Sequence, residues 1–346
     1  MDKTFLTLGI ETSCDDTALA LLDGGRRVLG DVVSSQIADH SPFGGVVPEL
    51  ASRKHQEALL PLLRRLMETT GATPHDIDLI AVTAGPGLMG SLLVGVMSAK
   101  GLAQAWGKPL LGVNHLEGHL YASLLAHPEL RPPFLCLVVS GGHTEIVLAE
   151  DFGRYTLLGA TRDDAAGEAY DKAAKMLGLP YPGGPEVERA AAGGDPRAFN
   201  FPIALKGSGT VEFSFSGLKT ALRTAVARLR EEGKDIPLAD LCASFQRAVT
   251  ESLLTKVELA IGQSGVDRIA VSGGVAANAA LREALAARGA KKHWHVHLPP
   301  RAYCTDNAVM IAAAGYDAWM RGCRSDLTLT PDPAWEIWGA ESEWKC

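Results

Sequence analysis

The chain has 346 residues, 47% of them hydrophobic, and a formal net charge of −7 at pH 7. That length suits two domains better than one ordinary core, and the hydrophobic share leaves no room for a long disordered tract. The negative charge argues against a protein that binds nucleic acid by itself through a general basic surface, although it allows a local basic patch.

Patterns typical of secreted and membrane proteins are missing from the sequence. Apolar stretches are broken by Gly, Ser or Lys before they reach the ~20 residues that a membrane-spanning helix needs. No basic-then-apolar leader follows Met1, which argues against secretion. The six cysteines are widely spaced without a CxxC pair, which is typical of reduced thiols in the cytosol. We therefore expect a cytoplasmic protein that does not bind a membrane.

Two stretches of the chain resemble each other. Phe5–Ser13 enters a polar loop that leaves through Thr17–Leu21, and Phe134–Gly142 enters a similar loop that leaves through Thr144–Leu148. Each stretch predicts a buried strand, a tight turn of small polar residues and a second strand. The two copies start about 130 residues apart, which is the period of a domain and not of a solenoid.

This repetition predicts the fold class and the domain organisation. We expect an α/β protein built from a duplicated domain, with a ligand cleft between the two halves. The first repeat is expected to occupy residues 1–130. The second is expected to occupy residues 131–346 and to contain a helical insertion.

Between the two copies lie further elements. Apolar residues at helical spacing in Leu59–Met67 predict an amphipathic helix that ends before Gly71. A strand over Asp78–Thr83 then runs into Gly85-Pro86-Gly87, and a helix follows over Leu92–Trp106. A strand, a glycine-rich turn and a helix can bind an anion, but the glycines can equally serve close packing.

The remaining elements are shorter and end at recognisable residues. Strands are expected at 109–113 and 268–271, and helices at 278–288, stopped by Gly289, and at 307–320, stopped by Gly322. Beyond about residue 330 the sequence has no usable period. That segment contains Trp335, Trp338 and Trp344.

Two histidines and a distant carboxylate suggest a metal site. His115 and His119 are four residues apart on a predicted helix, so both imidazoles can reach one ion. Asp306, at the start of a later helix, could complete a two-histidine, one-carboxylate set at the cleft between the repeats, with positions left open for a substrate. The alternative is a pair of hydrogen-bonded structural histidines.

Several long motifs then occur in one order along the chain. They are GIETSCDDT from Gly9, GGVVPELASR from Gly44, AGPGLMGSLLVG from Ala84, VNHLEGH from Val113, VVSGGHTE from Val138, DDAAGEAYDK from Asp163, YPGGP from Tyr181, FSFSGLKT from Phe213, ASFQ from Ala243, SGGVAAN from Ser272 and CTDNAVMIA from Cys304. On these motifs, which span about residues 5 to 325, the chain resembles the bacterial tRNA threonylcarbamoyladenosine transferase (TsaD) family.

The resemblance implies a fold and an activity. The family belongs to the actin, heat-shock chaperone and sugar-kinase superfamily, so it implies duplicated actin-like (ribonuclease H-like) domains with a nucleotide cleft between them. Such enzymes transfer the threonylcarbamoyl group of threonylcarbamoyl-AMP to N6 of the adenosine beside the anticodon, in tRNAs that read codons starting with A, and they release AMP.

The resemblance also implies site residues. The metal ligands would be His115, His119 and Asp306, with Fe(II) as the expected metal and Zn(II) as the alternative. The adenylate site would be lined by Val138, Val139, Ser140, Gly141, Gly142, Asp171, Gly184 and Asn278, with Glu188 on the ribose. Glu11 and Asp15 lie in the first-repeat turn, where actin-like proteins keep carboxylates that face phosphate and its Mg²⁺, and we take them as candidate catalytic residues.

The resemblance also implies binding partners, and the chain differs from the family pattern at one segment. The expected partners are tRNA, threonylcarbamoyl-AMP, a TsaB-like paralogue that pairs through the N-terminal half, a TsaE-like ATPase and a separate synthase. The family often has an FPRP segment before FSFSGLKT, but residues 201–206 here read FPIALK, so a role of that segment in substrate binding is in doubt.

Other functions fit the residues less well. A metallopeptidase of the HExxH type needs a glutamate directly after the first histidine, where this chain has Leu116. An ATPase or sugar kinase of the same superfamily would use carboxylates and Mg²⁺ and would not need paired histidines. A non-catalytic scaffold would not be expected to keep all three candidate metal ligands.

Overall fold

A computed structural model of the protein describes residues 5–338, so the prediction concerning Trp344 lies outside the described residues. By its contacts the chain divides into two units. Of the described residues, the first comprises 5–129, Asp151–Tyr155 and 306–338, and the second comprises Leu130–Glu150 and Thr156–Thr305. The expected domains 1–130 and 131–346 stay a prediction, while the segment from Asp306 onward groups with the first unit.

The first sheet contains the N-terminal copy of the repeat. Its strands are β1 (Leu6–Glu11), β2 (Asp16–Asp23), β3 (Arg27–Ser35), β4 (Ile77–Gly85) and β5 (Leu110–Asn114). They lie in the order β3-β2-β1-β4-β5. The central strand β1 runs antiparallel to β2 and parallel to β4, and it is buried along its whole length, as its continuous apolar sequence predicts.

The first unit also contains helices, and the ends of one of them show clear sequence signals. They are α1 (Ile37–His40), α2 (Pro48–Thr70), α3 (Met89–Trp106), α4 (His115–Ala126) and, from the end of the chain, α10 (Ala308–Met320). Helix α2 begins with Pro48 in its first turn and ends at Gly71 in the left-handed conformation. The helix predicted between residues 59 and 67 is therefore part of a longer element.

The second sheet repeats the topology of the first. Its strands are β6 (Phe134–Val139), β7 (Thr144–Asp151), β8 (Arg154–Ala160), β9 (Arg268–Ser272) and β10 (His295–His297). They lie in the order β10-β9-β6-β7-β8, which is the order of the first sheet with β6 in the place of β1. Strand β6 is likewise antiparallel to β7 and parallel to β9. The predicted duplication of a strand–turn–strand motif in an α/β protein is confirmed.

The remaining helices lie between β8 and β10. They are α5 (Ala166–Leu177), α6 (Gly183–Ala190), α7 (Ser216–Glu231), α8 (Leu238–Ser264) and α9 (Ala279–Lys292). The prediction that Gly289 stops α9 is wrong, because the helix continues to Lys292 and the chain leaves it at His293, which has a φ of 60°. A Cβ at position 289 would lie 2.5 Å from the side chain of Val296, so the glycine serves helix–strand packing.

The described residues show whether a helix could span a membrane and which cysteines are free thiols. Within residues 5–338, no helix is both long enough and apolar enough to cross a bilayer. Cys14, Cys136, Cys242 and Cys304 are free thiols, as expected. Cys323 is disulfide-bonded, so the expectation of reduced thiols is wrong at that position.

Candidate functional site

The paired histidines open helix α4 directly after strand β5. Asn114 caps the helix, because its side-chain oxygen accepts hydrogen bonds from the backbone N–H groups of Leu116 (2.8 Å) and Glu117 (3.4 Å). His115 and His119 lie on one face of the buried first turns, with ring centroids 4.7 Å apart and ring planes at 81°. The four-residue spacing therefore brings both imidazoles together, as predicted.

Asp306 reaches the same place from the other end of the chain. Its Oδ1 lies 3.5 Å from Nε2 of His115 and 3.3 Å from Nε2 of His119. Each of the three residues offers one ligand atom, and these atoms all lie within 4.8 Å of one another. All three residues belong to the first unit, so an ion bound there would join two distant segments of that unit.

Close backbone packing is what places Asp306. Asp306 immediately precedes Asn307, whose side chain caps α10 by accepting a hydrogen bond from Met310 N at 2.9 Å. A Cβ at Gly9 in β1 would lie 2.3 Å from the carbonyl oxygen of Ala308, so glycine is needed for α10 to approach β1. Gly118 likewise lets α4 approach α10, since a Cβ there would lie 2.7 Å from the side chain of Ile311.

The donor atoms fit a divalent cation. His119 is completely buried, and neither of its ring nitrogens forms a hydrogen bond of normal geometry within residues 5–338, although Nε2 lies 3.3 Å from Oδ1 of Asp306. A buried polar atom without a partner is costly, and a metal ion would satisfy it. Burial also lowers the pKa of His119, which keeps the ring neutral with a lone pair to donate. The cluster of His115, His119 and Asp306 is therefore consistent with a divalent metal.

Glu11 contacts Nδ1 of His115, the ring nitrogen that does not face Asp306. Its Oε2 lies 2.9 Å from Nδ1 of His115 and accepts from the hydroxyl of Thr83 at 2.6 Å, while Oε1 accepts from Ser13 N at 2.5 Å. Burial lowers the pKa of His115, but the charges of Glu11 and Asp306 and the hydrogen bond to Glu11 outweigh it and raise that pKa to about 9.

The contact with His115 also shifts the pKa of Glu11. Burial raises the pKa of Glu11, but the charge and the hydrogen bond of His115 bring it below its usual value. Glu11 holds a proton on Nδ1 of His115, so Nε2 is the nitrogen that faces Asp306, and a bound cation would displace the second proton that the raised pKa keeps there. Glu11 therefore orients a candidate ligand, a carboxylate–histidine arrangement common in metal sites. No pattern in the sequence predicts this contact, or the contacts that Ser13 and Thr83 make with Glu11.

Asp15, the other candidate catalytic carboxylate, lies in the middle of the first-repeat turn and is partly exposed. The turn is held through its backbone: the carbonyl oxygen of Cys14 accepts from Nε2 of His55 at 3.0 Å and from Oγ of Ser91 at 3.2 Å. His55 also contacts Oγ1 of Thr17 through Nδ1 at 2.7 Å. These contacts fix the backbone that carries Asp15, and sequence reasoning did not find them.

The second-repeat turn has a different construction. Val138 and Val139 are buried inside β6, and Oγ of Ser140 accepts from the N–H groups of Gly142 (3.3 Å) and His143 (3.0 Å). Gly141 and Gly142 are exposed, and no described atom lies within 4 Å of a Cβ built at either position. The backbone of this turn is therefore open to an approaching ligand.

Two further glycines bring neighbouring segments against this turn. A Cβ at Gly273 would lie 2.3 Å from the carbonyl oxygen of Val139, and one at Gly167 would lie 2.6 Å from that of Ser140. Gly273 also has a φ of 90°, which favours glycine. Both residues lie in motifs that the sequence analysis identified, but it did not assign them this role.

The other predicted adenylate residues form two hydrogen-bonded groups. Oδ1 of Asp171 accepts from Gly183 N at 2.6 Å, at the start of α6, and Gly184 is the next residue of that helix. Asn278 caps α9 by accepting from Leu281 N at 3.0 Å. Its Nδ2 donates to Oε2 of Glu188 at 3.1 Å and to Oε1 of Gln246 at 2.8 Å. The cap that the sequence allowed as an alternative role of Asn278 is present.

The glycine-rich turn after β4 serves close packing. A Cβ at Gly85 would lie 1.9 Å from the carbonyl oxygen of Asp332, and one at Gly87 would lie 2.6 Å from that of Ser13. Asp332 N also donates to the carbonyl oxygen of Ala84 at 2.8 Å. The C-terminal segment thus packs on this turn, which favours the packing alternative over anion binding.

Sequence comparisons place the chain among known proteins. A family model described as "TsaD: tRNA N6-adenosine threonylcarbamoyltransferase" matches residues 27–313. A protein of that name from Syntrophobacter fumaroxidans is 54% identical over 337 residues, covering 95% of this chain and 99% of the relative. Proteins of the same name from Anaeromyxobacter dehalogenans (strain 2CP-C) and Dictyoglomus turgidum are 53% identical over 333 residues and 50% identical over 328 residues. These two alignments cover 95% of this chain, and 99% and 98% of the relatives, respectively.

Solved structures show the fold. HypF from T. kodakarensis matches with a TM-score of 0.61 and 16% identity over 92% of this chain and 48% of HypF. The activator of 2-hydroxyisocaproyl-CoA dehydratase from Clostridium difficile matches with a TM-score of 0.53 and 16% identity over 92% of this chain and 96% of the activator. At this identity the likeness concerns the fold alone, which is the actin-like fold predicted from the sequence.

Proposed function

The chain belongs to the TsaD family of tRNA N6-adenosine threonylcarbamoyltransferases, and we propose that it takes the transferred group from threonylcarbamoyl-AMP. The protein is an acyltransferase that modifies an adenosine of tRNA at N6. The proposed target is the adenosine next to the anticodon in tRNAs that read codons starting with A. The observation that supports the chemistry best is the cluster of the buried His115 and His119 with the half-buried Asp306, whose ligand atoms lie within 4.8 Å of one another.

We propose that these three residues hold a divalent ion, with Fe(II) as the expected metal and Zn(II) as the alternative. Three protein ligands leave coordination positions open, as a substrate-binding metal requires and a closed structural zinc site does not. The bound ion would supply a Lewis acid for oxygens of the substrate. Glu11 would keep the proton of His115 on Nδ1, so that Nε2 remains a ligand.

The donor already carries its activation, so the protein has mainly to bind and orient. Threonylcarbamoyl-AMP is a mixed anhydride: N6 attacks the carbamoyl carbon, the bond to the phosphate oxygen breaks, and AMP leaves with the electron pair while N6 loses a proton. Positioning and charge stabilisation can therefore suffice without a covalent intermediate on the protein.

The second-repeat turn is the proposed phosphate site. Val138, Val139 and Ser140 lead into Gly141 and Gly142, whose open backbone can approach an anion without a Cβ in the way. We propose that Asp171, Gly184, Glu188 and Asn278 line the rest of the adenylate site, with carboxylates that accept hydrogen bonds from ribose hydroxyls. Asp15 is the proposed carboxylate facing the phosphate and an accompanying Mg²⁺.

The alternative functions are not favoured. For a metallopeptidase, Glu117 would be the nearest candidate base, but it is fully buried and accepts hydrogen bonds from the hydroxyl of Tyr155 at 2.8 Å and from Arg321 at 3.4 Å. An ATPase or sugar kinase would not use the two histidines, as argued from the sequence.

A surface of the first unit supports a proposed protein partner. Helix α3 exposes Met89, Leu93 and Met97 at four-residue intervals, and Leu60 on the neighbouring α2 is exposed as well. Apolar side chains exposed along one face of a helix are typical of a protein interface. We propose that a TsaB-like paralogue pairs here, and that a TsaE-like ATPase completes the assembly.

The test combines metal analysis with a transfer assay that uses threonylcarbamoyl-AMP and unmodified tRNA. His119→Ala is expected to remove metal and to reduce transfer at least 100-fold, a size typical of losing an essential catalytic group. His40→Ala, at an equally buried histidine that hydrogen-bonds Gln36, is the matched control and should keep its metal. A His119→Ala protein with full metal content and full transfer would contradict the proposed metal site.

A further inference from the structure

We propose that the groove between α5 and α7 is a docking surface for the sugar–phosphate backbone of tRNA; this rests on the proposed function. The first reason is the distribution of charge. Helix α7 carries Lys219, Arg223, Arg228 and Arg230 with no carboxylate between Ser216 and Arg230, whereas the whole chain has a net charge of −7. A local basic surface on an acidic protein is what binding of a polyanion requires.

Some of these cations are already engaged in ion pairs. Asp164 binds Nζ of Lys172 at 2.6 Å and Nζ of Lys219 at 3.0 Å, which ties α5 to the start of α7. Near the end of α7, Glu232 binds Arg228 at 2.7 Å. These pairs hold the two helices and leave their cations less available to a ligand.

Other cations of these two helices are unpaired within the described part of the chain. Arg223 and Arg230 are exposed, and neither forms an ion pair or a side-chain hydrogen bond with any residue from 5 to 338. Lys175 on α5 is also exposed and has no ion pair in this part of the chain. Nothing described within the protein therefore competes with an anionic ligand for Arg223 and Arg230.

The two arginines flank a cavity of about 260 Å³. Met176 of α5 and Val226 and Ala227 of α7 complete its lining, so the cavity has an apolar floor between two guanidinium groups. Arg223 and Arg230 are seven residues apart on the helix, which separates them by roughly 10 Å along its axis. The spacing of neighbouring phosphates along a strand is smaller than the separation of the two arginines. The two arginines can therefore contact two different phosphates of one strand.

The chemistry favours RNA over other anions. Arginine binds phosphate oxygens through paired N–H groups, and an apolar surface between cations can take the face of a ribose or an unstacked base. A small free anion would gain nothing from the apolar floor. The enzyme has a polyanionic macromolecule as its substrate, so tRNA is the occupant that the groove fits.

The experiment measures binding of fluorescently labelled, unmodified tRNA to the full-length protein over a series of salt concentrations that starts low. Arg223→Gln/Arg230→Gln is expected to weaken binding roughly tenfold and to reduce the slope of log affinity against log salt by about one for each arginine. The matched control is Arg64→Gln/Arg65→Gln, two exposed arginines of α2 in the other unit. It should change affinity less than twofold, and thermal unfolding should show that both variants are folded.

The outcomes separate this proposal from the proposed function. Wild-type affinity and salt slope in the Arg223→Gln/Arg230→Gln protein, or an equal loss in the control, would overturn the groove as a docking surface. So would the absence of any tRNA binding by the wild-type chain at low salt. In the transfer assay, the groove variant should raise KM for tRNA and leave kcat unchanged. Absence of transfer by the active wild-type assembly would instead contradict the proposed function.

Discussion

The two strand–turn–strand copies share a topology but differ in the chemistry of their turns. The first turn carries carboxylates, and that of Glu11 at its start is buried and engages Ser13, Thr83 and His115. The second turn has no carboxylate, and its exposed glycines present backbone to the solvent. The first turn is therefore suited to orienting the ligands of a cation, and the second turn is suited to binding an anion.

This difference shows that topology positions a turn without deciding what the turn binds. Both turns connect the central strand of a sheet to its antiparallel neighbour. In the first, side chains make the contacts, so a substitution should act through the orientation of other groups. In the second, the exposed backbone would make the proposed contacts with the ligand, so a substitution should act through steric exclusion of that ligand.

The largest effect is expected at Asp306. Asp306→Ala should reduce metal content to below a tenth and transfer at least 100-fold, because the oxygen ligand is lost although it lies far from the histidines in sequence. Nucleotide binding through the second turn should partly survive. Metal analysis, transfer assays and calorimetry with an adenine nucleotide measure the three quantities. Asp326→Asn, at an exposed position of the same unit, is the control. Retention of metal and activity would return the histidines to a structural role.

A smaller effect is expected at Glu11, which touches a ligand and not the ion. Glu11→Gln keeps the size of the side chain but removes the charge that holds the proton of His115 on Nδ1. Losing such a carboxylate typically costs about 10- to 100-fold in metal affinity. Competition with a chelator would measure it. Unchanged affinity would show that Ser13, which lies 3.1 Å from the same nitrogen, orients His115 alone.

A substitution in the second turn should weaken adenylate binding without loss of stability. Gly141→Val is expected to weaken adenylate binding roughly tenfold through steric exclusion, with an unchanged unfolding temperature, because the protein leaves open space at that position. Gly273→Ala is the contrast: its Cβ would meet the backbone of Val139, so we expect it to destabilise the fold. Calorimetry and thermal unfolding together distinguish the two. Unchanged nucleotide affinity in a folded Gly141→Val protein would remove this turn from the site.

The smallest effect concerns stability and pH at Asp16, where the first turn joins β2. Burial raises the pKa of Asp16 to about 7; its hydrogen bond to Ser35 opposes the shift, and the charge of Asp15 adds to it. The folded protein therefore binds this proton more tightly than the unfolded chain. The stability contributed by protonated Asp16 is complete below about pH 4 and is lost as pH rises through 7.

Asp16→Asn removes that dependence. It should raise the unfolding temperature at pH 8 by roughly 2–4 °C and by less at pH 5.5, measured by thermal unfolding. Asp31→Asn, at an exposed position of β3, should shift both values equally. An Asp16→Asn effect that did not grow with pH would show that the charge of the first turn is compensated.

Much of the site could be predicted because its signals are local. The spacing of His115 and His119 fixes their common face, since a helix places residues four apart one above the other. The tight turn of small polar residues at the second copy is predictable for a similar reason. Asn278 shows the limit of such reasoning, because the same side chain fits a cap and a ligand contact; its hydrogen bonds show the cap, and the ligand contact stays a proposal.

The sequence by itself determined the central strands, the duplicated motif and the histidine pair, because these depend on spacing along the chain. The tertiary structure decided which distant groups meet. Asp306 lies beside the histidines because glycines at positions 9 and 118 let α10 pack closely against β1 and α4. Likewise, Glu11 faces inward, and Arg223 and Arg230 stay unpaired while their neighbours are bound. Such contacts depend on side-chain direction and long-range packing, which no periodicity in the sequence encodes.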